Sequence, residues 1–321
     1  MTSTTRSSTK RWSAARSSSR PSGGGSTGYA VFLLPGIVLS VIVLVIPMLM
    51  NVSFSFTRWS GVGKPQWIGL ANYDQLIHDQ DFWASFEHIG GLIIALAVVP
   101  TLLGLVIAAL LFDYLSKRFG DRWATTLRSG LYLPQVLPVT VTGIVWSWLL
   151  NAQYGTVNIL LKDIGLGSWQ QDWLGSPHWA LPSVMLVMVW FQVGYPVVMF
   201  MAGLQRIDPG IYEAANLDGA SWFQRFRYIT VHLIKPEIYV VLVTTTIAAM
   251  KIFGQIFVLT RGGPGNSTLV PSYFASLNFF QKLNVGYGSA ISTVLTVIII
   301  LVTVVFLQLQ NRSERRSGWG L

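Results

Sequence analysis

The sequence predicts an all-α membrane protein of six transmembrane helices with both termini in the cytoplasm. Three observations predict it. Only 11% of the 321 residues are charged and 52% are hydrophobic, whereas soluble domains carry roughly 25% charged residues. Six apolar runs are long enough to cross a bilayer core, which takes about 20 residues. The lysines and arginines alternate along the chain, with sixteen in every second connecting segment and five in the others. The richer set marks the cytoplasmic side.

Residues 1–27 hold Ser, Thr, Arg and Gly and no acid, so nothing there can bury a core. They read as a disordered basic cytoplasmic tail. An organelle transit peptide shares that composition. Residues 28–312 form the membrane domain. Its apolar runs cover 29–50, 89–112, 131–150, 179–204, 238–259 and 289–309. Pro35, Pro47, Pro100, Pro134, Pro138, Pro182 and Pro196 interrupt the first four, so kinked helices packed on neighbours or around a cavity are expected. Residues 313–321 form a short cytoplasmic tail. The cytoplasmic side collects Arg6, Lys10, Arg11, Arg16, Arg20, Lys117, Arg118, Arg122 and Arg128. It also holds Arg206, Arg225, Arg227, Lys235, Arg312, Arg315 and Arg316. The outer loops are rich in glycine and aromatics, and thirteen Trp and eleven Tyr suit interface anchoring.

Composition also excludes. With no cysteine, there is no disulfide framework, thiolate zinc site or iron–sulfur cluster. His78, His88, His178 and His232 are scattered and form no metal-binding pattern. No phosphate-binding G-x-x-x-x-G-K-[ST] occurs; the fragment Gly61-Val62-Gly63-Lys64 has the wrong spacing. No catalytic, metal or cofactor site is therefore expected in this chain. The net charge of +9 belongs to loops beside membrane spans, and no nucleic-acid partner is expected. A secondary transporter would carry intramembrane acids for ion coupling, and the spans have none.

One charged segment stands between the fourth and fifth runs, residues 205–236. Asp208-Pro209 looks like a helix start, with Asp as cap and Pro at the first helical position. Ile211, Ala214 and Ala215 then share one low face. Asp218-Gly219 signals a turn. Ser221 followed by Gln224 matches a capping box. A second helix would put Trp222, Phe223, Phe226 and Ile229 on one side, with Gln224, Arg225 and Arg227 mostly opposite. By residues alone this is an interfacial helix–turn–helix ended by Pro236, and a plain amphipathic connector fits equally.

The stretch "EAANLDGASWFQRFRYITVHLIKP" resembles the EAA loop of binding-protein-dependent ATP-binding-cassette (ABC) importer permeases. Glu213, Ala214, Ala215, Asp218, Gly219, Ala220, Phe226, Ile229 and Pro236 match the family pattern. Val231-His232 replaces the usual Leu-Pro, which leaves the exit of the second helix open. "WIGLANYDQL", "LYLPQVLPVTVTGIVWSWLLN" and "FGQIFVLTRGGPGNST" resemble segments of the carbohydrate-importer branch, with Arg261 where a glycine is common. The resemblance covers nearly everything from Tyr29 onward.

That resemblance implies a type I ABC importer permease fold in a bacterial cytoplasmic membrane. It implies a homologous second permease, two ABC ATPase subunits carrying ATP and Mg, and an extracytoplasmic sugar-binding protein. The EAA loop would be the coupling helix, with Glu213 facing a basic residue of the ATPase and Gly219 permitting the turn. A sugar route needs aromatic faces and hydrogen-bonding groups near mid-membrane. Trp190, Gln192 and Tyr195 on the fourth span offer them, as do Thr244, Thr245 and Gln255 on the fifth and Ser147 and Trp148 on the third. Tyr195 is similar in position to a sugar-contacting aromatic of maltose-type members. Each of these groups equally suits helix–helix packing. Lys251 is the lone charge within the runs; it could meet cargo or a carboxylate of the second permease. A polyol or a glycerol phosphate ester is the competing cargo.

Overall fold

The computed structural model describes residues 26–115 and 120–316. The expected basic tail thus lies outside the described residues except for Ser26 and Thr27, which already begin a helix. Lys117 and Arg118 lie outside them too. At the other end the last helix continues to Arg316, and the rest of the expected tail is outside.

The described residues divide into two compact units, one up to Met50 and one from Asn51 onward. Helix α1 (26–54), which lies in the first unit up to Met50, contains Pro35 and a π turn at Val41–Val45. In the second, a short antiparallel ribbon pairs Thr57–Arg58 with Gln66–Trp67. Next come α2 (Ala71–His78), α3 (80–115), α4 (Asp121–Val136) and α5 (Val139–Leu149). They are followed by α6 (Thr156–Asp163), α7 (Ala180–Leu204, with a break at Val193), α8 (Pro209–Leu217) and α9 (Trp222–Leu233). The chain ends with α10 (Lys235–Met250), α11 (Gly254–Leu259), α12 (271–281) and α13 (Val285–Arg316).

Among the described residues four helices are long and apolar enough to cross a membrane, in α1, α3, α7 and α13; α9 with α10, bent by 70°, would make a fifth. Two expected spans are not continuous. The third divides at Leu137, because a residue before proline is pushed out of the helical region. Leu137 sits at φ −71°, ψ 137°, and Pro138 is extended as well. The fifth divides at Lys251–Phe253, between α10 and α11. Elsewhere the prolines are absorbed. Pro100 follows a π turn at Ile94–Val98, in the first turn of the segment Val99–Leu110. Pro196 opens the second half of α7 and, lacking an amide, leaves the Gln192 carbonyl without its helical donor.

Two apolar cores organise the second unit. One gathers Phe82, Leu92, Val184, Met188, Ile256, Tyr287 and Ile291 from α3, α7, α11 and α13. The other gathers Leu105, Val197, Phe200, Leu204, Ile234 and Val241 from α3, α7, α10 and the residue before α10. Glycines let α7 approach its neighbours. A Cβ on Gly104 would stand 2.5 Å from Pro196, and one on Gly194 2.2 Å from the Leu131 carbonyl oxygen.

Buried polar ties hold the loops. Asn72 in "WIGLANYDQL" donates to the Ser55 and Thr57 carbonyls at 2.8 and 2.9 Å. Asn158 binds the Ala152 and Gln171 carbonyls and accepts from Trp173 Nε1 at 2.8 Å. Asp79 caps α3 and accepts from Tyr287 Oη at 2.5 Å. Each tie satisfies groups that would otherwise be buried unpaired.

Candidate coupling surface and translocation path

The segment 205–236 is two short helices joined by a tight turn. Asp208 accepts from the Gly210 amide at 2.9 Å, with Pro209 at the first helical position. At the end of α8 the Gly219 amide donates to Asn216 O at 3.1 Å and the Ala220 amide to Ala215 O at 3.0 Å. This is the bond pattern that closes a helix on a left-handed residue. Gly219 supplies it with φ 74°. Ser221 then caps α9 reciprocally with Gln224: the Ser221 amide donates to Gln224 Oε1 at 2.7 Å. Arg225 turns back to the Asn216 side chain and donates to the Ala220 carbonyl at 3.1 Å, bracing the turn.

Tyr212 decides which face of α8 points out. It is buried, its hydroxyl shares a 3.0 Å hydrogen bond with Thr230 of α9, and its ring lies 6.1 Å from that of Phe112 at the end of α3. Burial pushes its phenol above the ordinary tyrosine range. With Tyr212 inward, Ile211, Glu213, Ala214, Asn216, Leu217, Asp218 and Gly219 are exposed, and Ala215 and Ala220 are half-buried. Leu217 is 90% exposed. The low alanine face expected from spacing is therefore open along Ile211 and Ala214. Glu213 stands free of any ion pair among the described residues.

Helix α9 departs from the sequence reading at one position. Trp222 stacks on Phe226 at 5.2 Å, and Ile229 is half-buried with them, but Phe223 is exposed. In the α turn Trp222–Arg225 the i, i+4 spacing keeps Trp222 and Phe226 on one face and turns Phe223 away from it; a π turn follows at Phe226–Thr230. The exit left open by Val231-His232 is also resolved. Helix α9 ends at Leu233, Ile234 is the pivot, and Pro236 lies in the first turn of α10 rather than ending the hairpin. A pairing missed in sequence clamps the base. Arg206, after α7, forms an ion pair with Glu237 in the first turn of α10. Charge alternation alone could not pair them across the intervening segment.

The residues expected along a sugar route fall on α5, α7, α10 and α11, with Lys251 just after α10. Gln192 is buried and accepts from Gln135 Nε2 of α4 at 3.0 Å. Tyr195 is half-buried and shares a 3.2 Å hydrogen bond with Thr244 Oγ1 of α10. So Gln192 and Tyr195 share α7 but bind different neighbours. Trp190 is exposed and packs edge-on against Trp146 of α5, ring centroids 5.3 Å apart. Thr245 is buried with its hydroxyl on the Val241 carbonyl, while Thr244 holds the position beside Tyr195. Trp148 is 65% exposed. Lys251 is exposed at the C-terminal end of α10, at the break before α11, where the helix dipole favours a cation. No hydrogen bond among the described residues joins Trp148 or Lys251 to the Gln192–Tyr195 pair. The signal that could have found Gln135 and Trp146 is weak: both lie in the run 131–150, where Ser147 and Trp148 read equally well.

The described residues thus form a helical bundle with several helices of membrane-crossing length and an exposed, capped helical hairpin between two of its segments. The family model described as "Binding-protein-dependent transport system inner membrane component" matches residues 101–318. A probable ABC transporter permease of Pyrococcus horikoshii is 34% identical over 292 residues, 89% of this chain and 96% of that one. The trehalose/maltose transport system permease of Thermococcus litoralis is 32% identical over 88% of this chain and 92% of its own length. The sulfoquinovosyl glycerol transport system permease of Agrobacterium fabrum is 34% identical over 87% and 89%. In shape the chain is similar to a bacterial ABC transporter involved in import of the acidic polysaccharide alginate. The TM-score is 0.77 at 22% identity, over 89% of this chain and 96% of that one. The chain belongs to the family of inner membrane components of binding-protein-dependent transport systems.

Proposed function

We propose that this chain is a permease subunit of an ATP-driven importer, taking in a sugar or oligosaccharide delivered by an extracytoplasmic binding protein. The observation that carries the reading is the hairpin 205–236. It presents Glu213, Ala214 and Leu217 outward on a turn fixed by Gly219 and is stapled to the membrane core by Tyr212. The relatives named for trehalose/maltose, lactose and starch degradation products support a carbohydrate cargo. ATP and Mg are held by two ATPase subunits, and this chain binds no cofactor and catalyses no reaction itself. A homologous second permease completes the pathway.

In this reading the chain crosses a bacterial cytoplasmic membrane six times, the divided third and fifth segments each counting as one crossing, with both termini inside. The broken backbone at Leu137–Pro138 and at Lys251–Phe253 supports a water-filled or protein-lined route, since free peptide groups are not tolerated against lipid. Trp190, Gln192, Tyr195, Thr245, Trp148 and Lys251 line or support it. The ATPase seats on Glu213, Ala214, Ala215, Asp218, Gly219 and Ala220.

The test is co-purification with the ATPase subunits. Glu213→Ala and Gly219→Pro are expected to lower ATPase recovery about tenfold, the equivalent of roughly 1.4 kcal/mol of binding. Uptake should fall with it. Unchanged recovery and uptake in both variants would overturn the coupling assignment.

A further inference from the structure

Resting on that reading, we propose that the ion pair between Arg206 and Glu237 is the tie that makes the coupling hairpin and both path helices move as one body. The two residues bracket the hairpin. Arg206 leaves the end of α7, and Glu237 sits in the first turn of α10. These helices carry Trp190, Gln192 and Tyr195 on one side and Thr244, Thr245 and Lys251 on the other. The apolar core of Phe200, Leu204, Ile234 and Val241 packs the two stems together; the ion pair adds a directional link where they leave it.

The pair is asymmetric in a way that suits a tie. The Glu237 side chain is 13% exposed and that of Arg206 72%. The carboxylate lies over Gly203, where an added Cβ would stand 3.1 Å from its Cγ and Cδ. Its Oε2 is buried with no partner among the described residues. It stands at a helix N-terminus, where negative charge is favoured. An anchored carboxylate thus receives an arginine that reaches in from the surface. A surface pair is worth little stability, so the contribution expected is geometric. Further along the same two helices the Tyr195–Thr244 hydrogen bond makes a second link. With the apolar core between them, these two polar links fix the register of α7 on α10; removing the one at the base frees the stems to shift over that core.

The experiment uses the full complex with its ATPase subunits in nanodiscs. The chain contains no cysteine, so Ala248→Cys, exposed in the last turn of α10, gives a single reporter thiol in this subunit. Its labelling by a membrane-impermeant maleimide is read on this chain by mass, with and without ATP and vanadate. With Arg206 and Glu237 intact, nucleotide is expected to change the labelling rate at least about fivefold, the low end of ordinary coupling. In Arg206→Gln or Glu237→Gln the ATPase still co-purifies and hydrolyses ATP, but the nucleotide effect on labelling is lost. The exchange Arg206→Glu with Glu237→Arg restores it. The proposal is overturned if nucleotide-dependent labelling survives in both single variants. It is equally overturned if the exchange fails to restore it, which would make the pair a packing element only. Loss of ATPase co-purification from the parent chain would instead sink the coupling reading itself.

Discussion

At Gly219 and Arg261 the backbone enters the same left-handed region, with opposite consequences. Gly219, at φ 74°, has no Cβ to strain and closes α8 onto the next helix. Arg261, at φ 52°, sits where a glycine is common in the resembling segment and bears a side chain there. Left-handed geometry costs an L-residue roughly 1–2 kcal/mol. Replacing Arg261 by glycine is therefore expected to stabilise the detergent-solubilised protein by about 1 kcal/mol, since the relief of strain exceeds the entropy glycine adds. Thermal unfolding of the purified chain, followed by tryptophan fluorescence, should show a raised midpoint. An unchanged or lowered one would mean that the arginine side chain makes up the strain. Such positions were half legible in the sequence. The turn at Asp218-Gly219 follows from residue type, and the departure at Arg261 was visible, but its φ was not.

Among the elements, close approach decides more than apolarity. Helix α7 meets α4 where Gly194 faces the Leu131 carbonyl, and meets α3 where Gly104 faces Pro196. Backbone at Gly194, and a rigid proline ring with backbone at Gly104, leave no flexible side chain to yield. Gly194→Ala is accordingly expected to cost about 1–3 kcal/mol through overpacking, read as a lower melting midpoint and loss of the monodisperse peak in size-exclusion chromatography. Gly90→Ala is the control. A Cβ there meets nothing within 4 Å, so it should behave as the parent does. A Gly194→Ala protein as stable as Gly90→Ala would show that α4 and α7 separate freely. Hydropathy located these helices but not their interruptions. Pro138 announced the α4–α5 division, because proline restricts the residue before it. The division at Lys251–Phe253 has no proline within it. It coincides with Ile252, whose carbonyl accepts from Ser272 across the fold, a contact that no local pattern encodes.

For the whole molecule, the sidedness of the hairpin is the central claim. Single cysteines introduced into the naturally cysteine-free chain give a direct check in intact cells. A thiol at Leu217→Cys, on the exposed tip of α8, is expected to react only after permeabilisation. One at Phe280→Cys, 78% exposed in α12, is expected to react from outside. Labelling of Leu217→Cys in sealed cells by an impermeant reagent would reverse the topology and remove the ATPase from the hairpin. The charge distribution carries this expectation. Sixteen basic residues against five bias orientation through the cost of translocating them, whatever the helices later pack against.

What could be read without coordinates was short in range. Composition set the membrane class, the basic residues predict the sides, and Asp208, Gly219 and the Ser221–Gln224 box set the hairpin. Each of these acts within a few residues of itself or on the bulk solvent, so residue identity suffices. The arrangement of the site depended on approach between distant segments. Tyr212 against Thr230 and Phe112, Gln135 on Gln192, Tyr195 on Thr244 and Arg206 on Glu237 exist only once the helices have packed. Their geometry is fixed by glycine-sized gaps and helix breaks. No periodicity records such a gap, because it belongs to two elements at once.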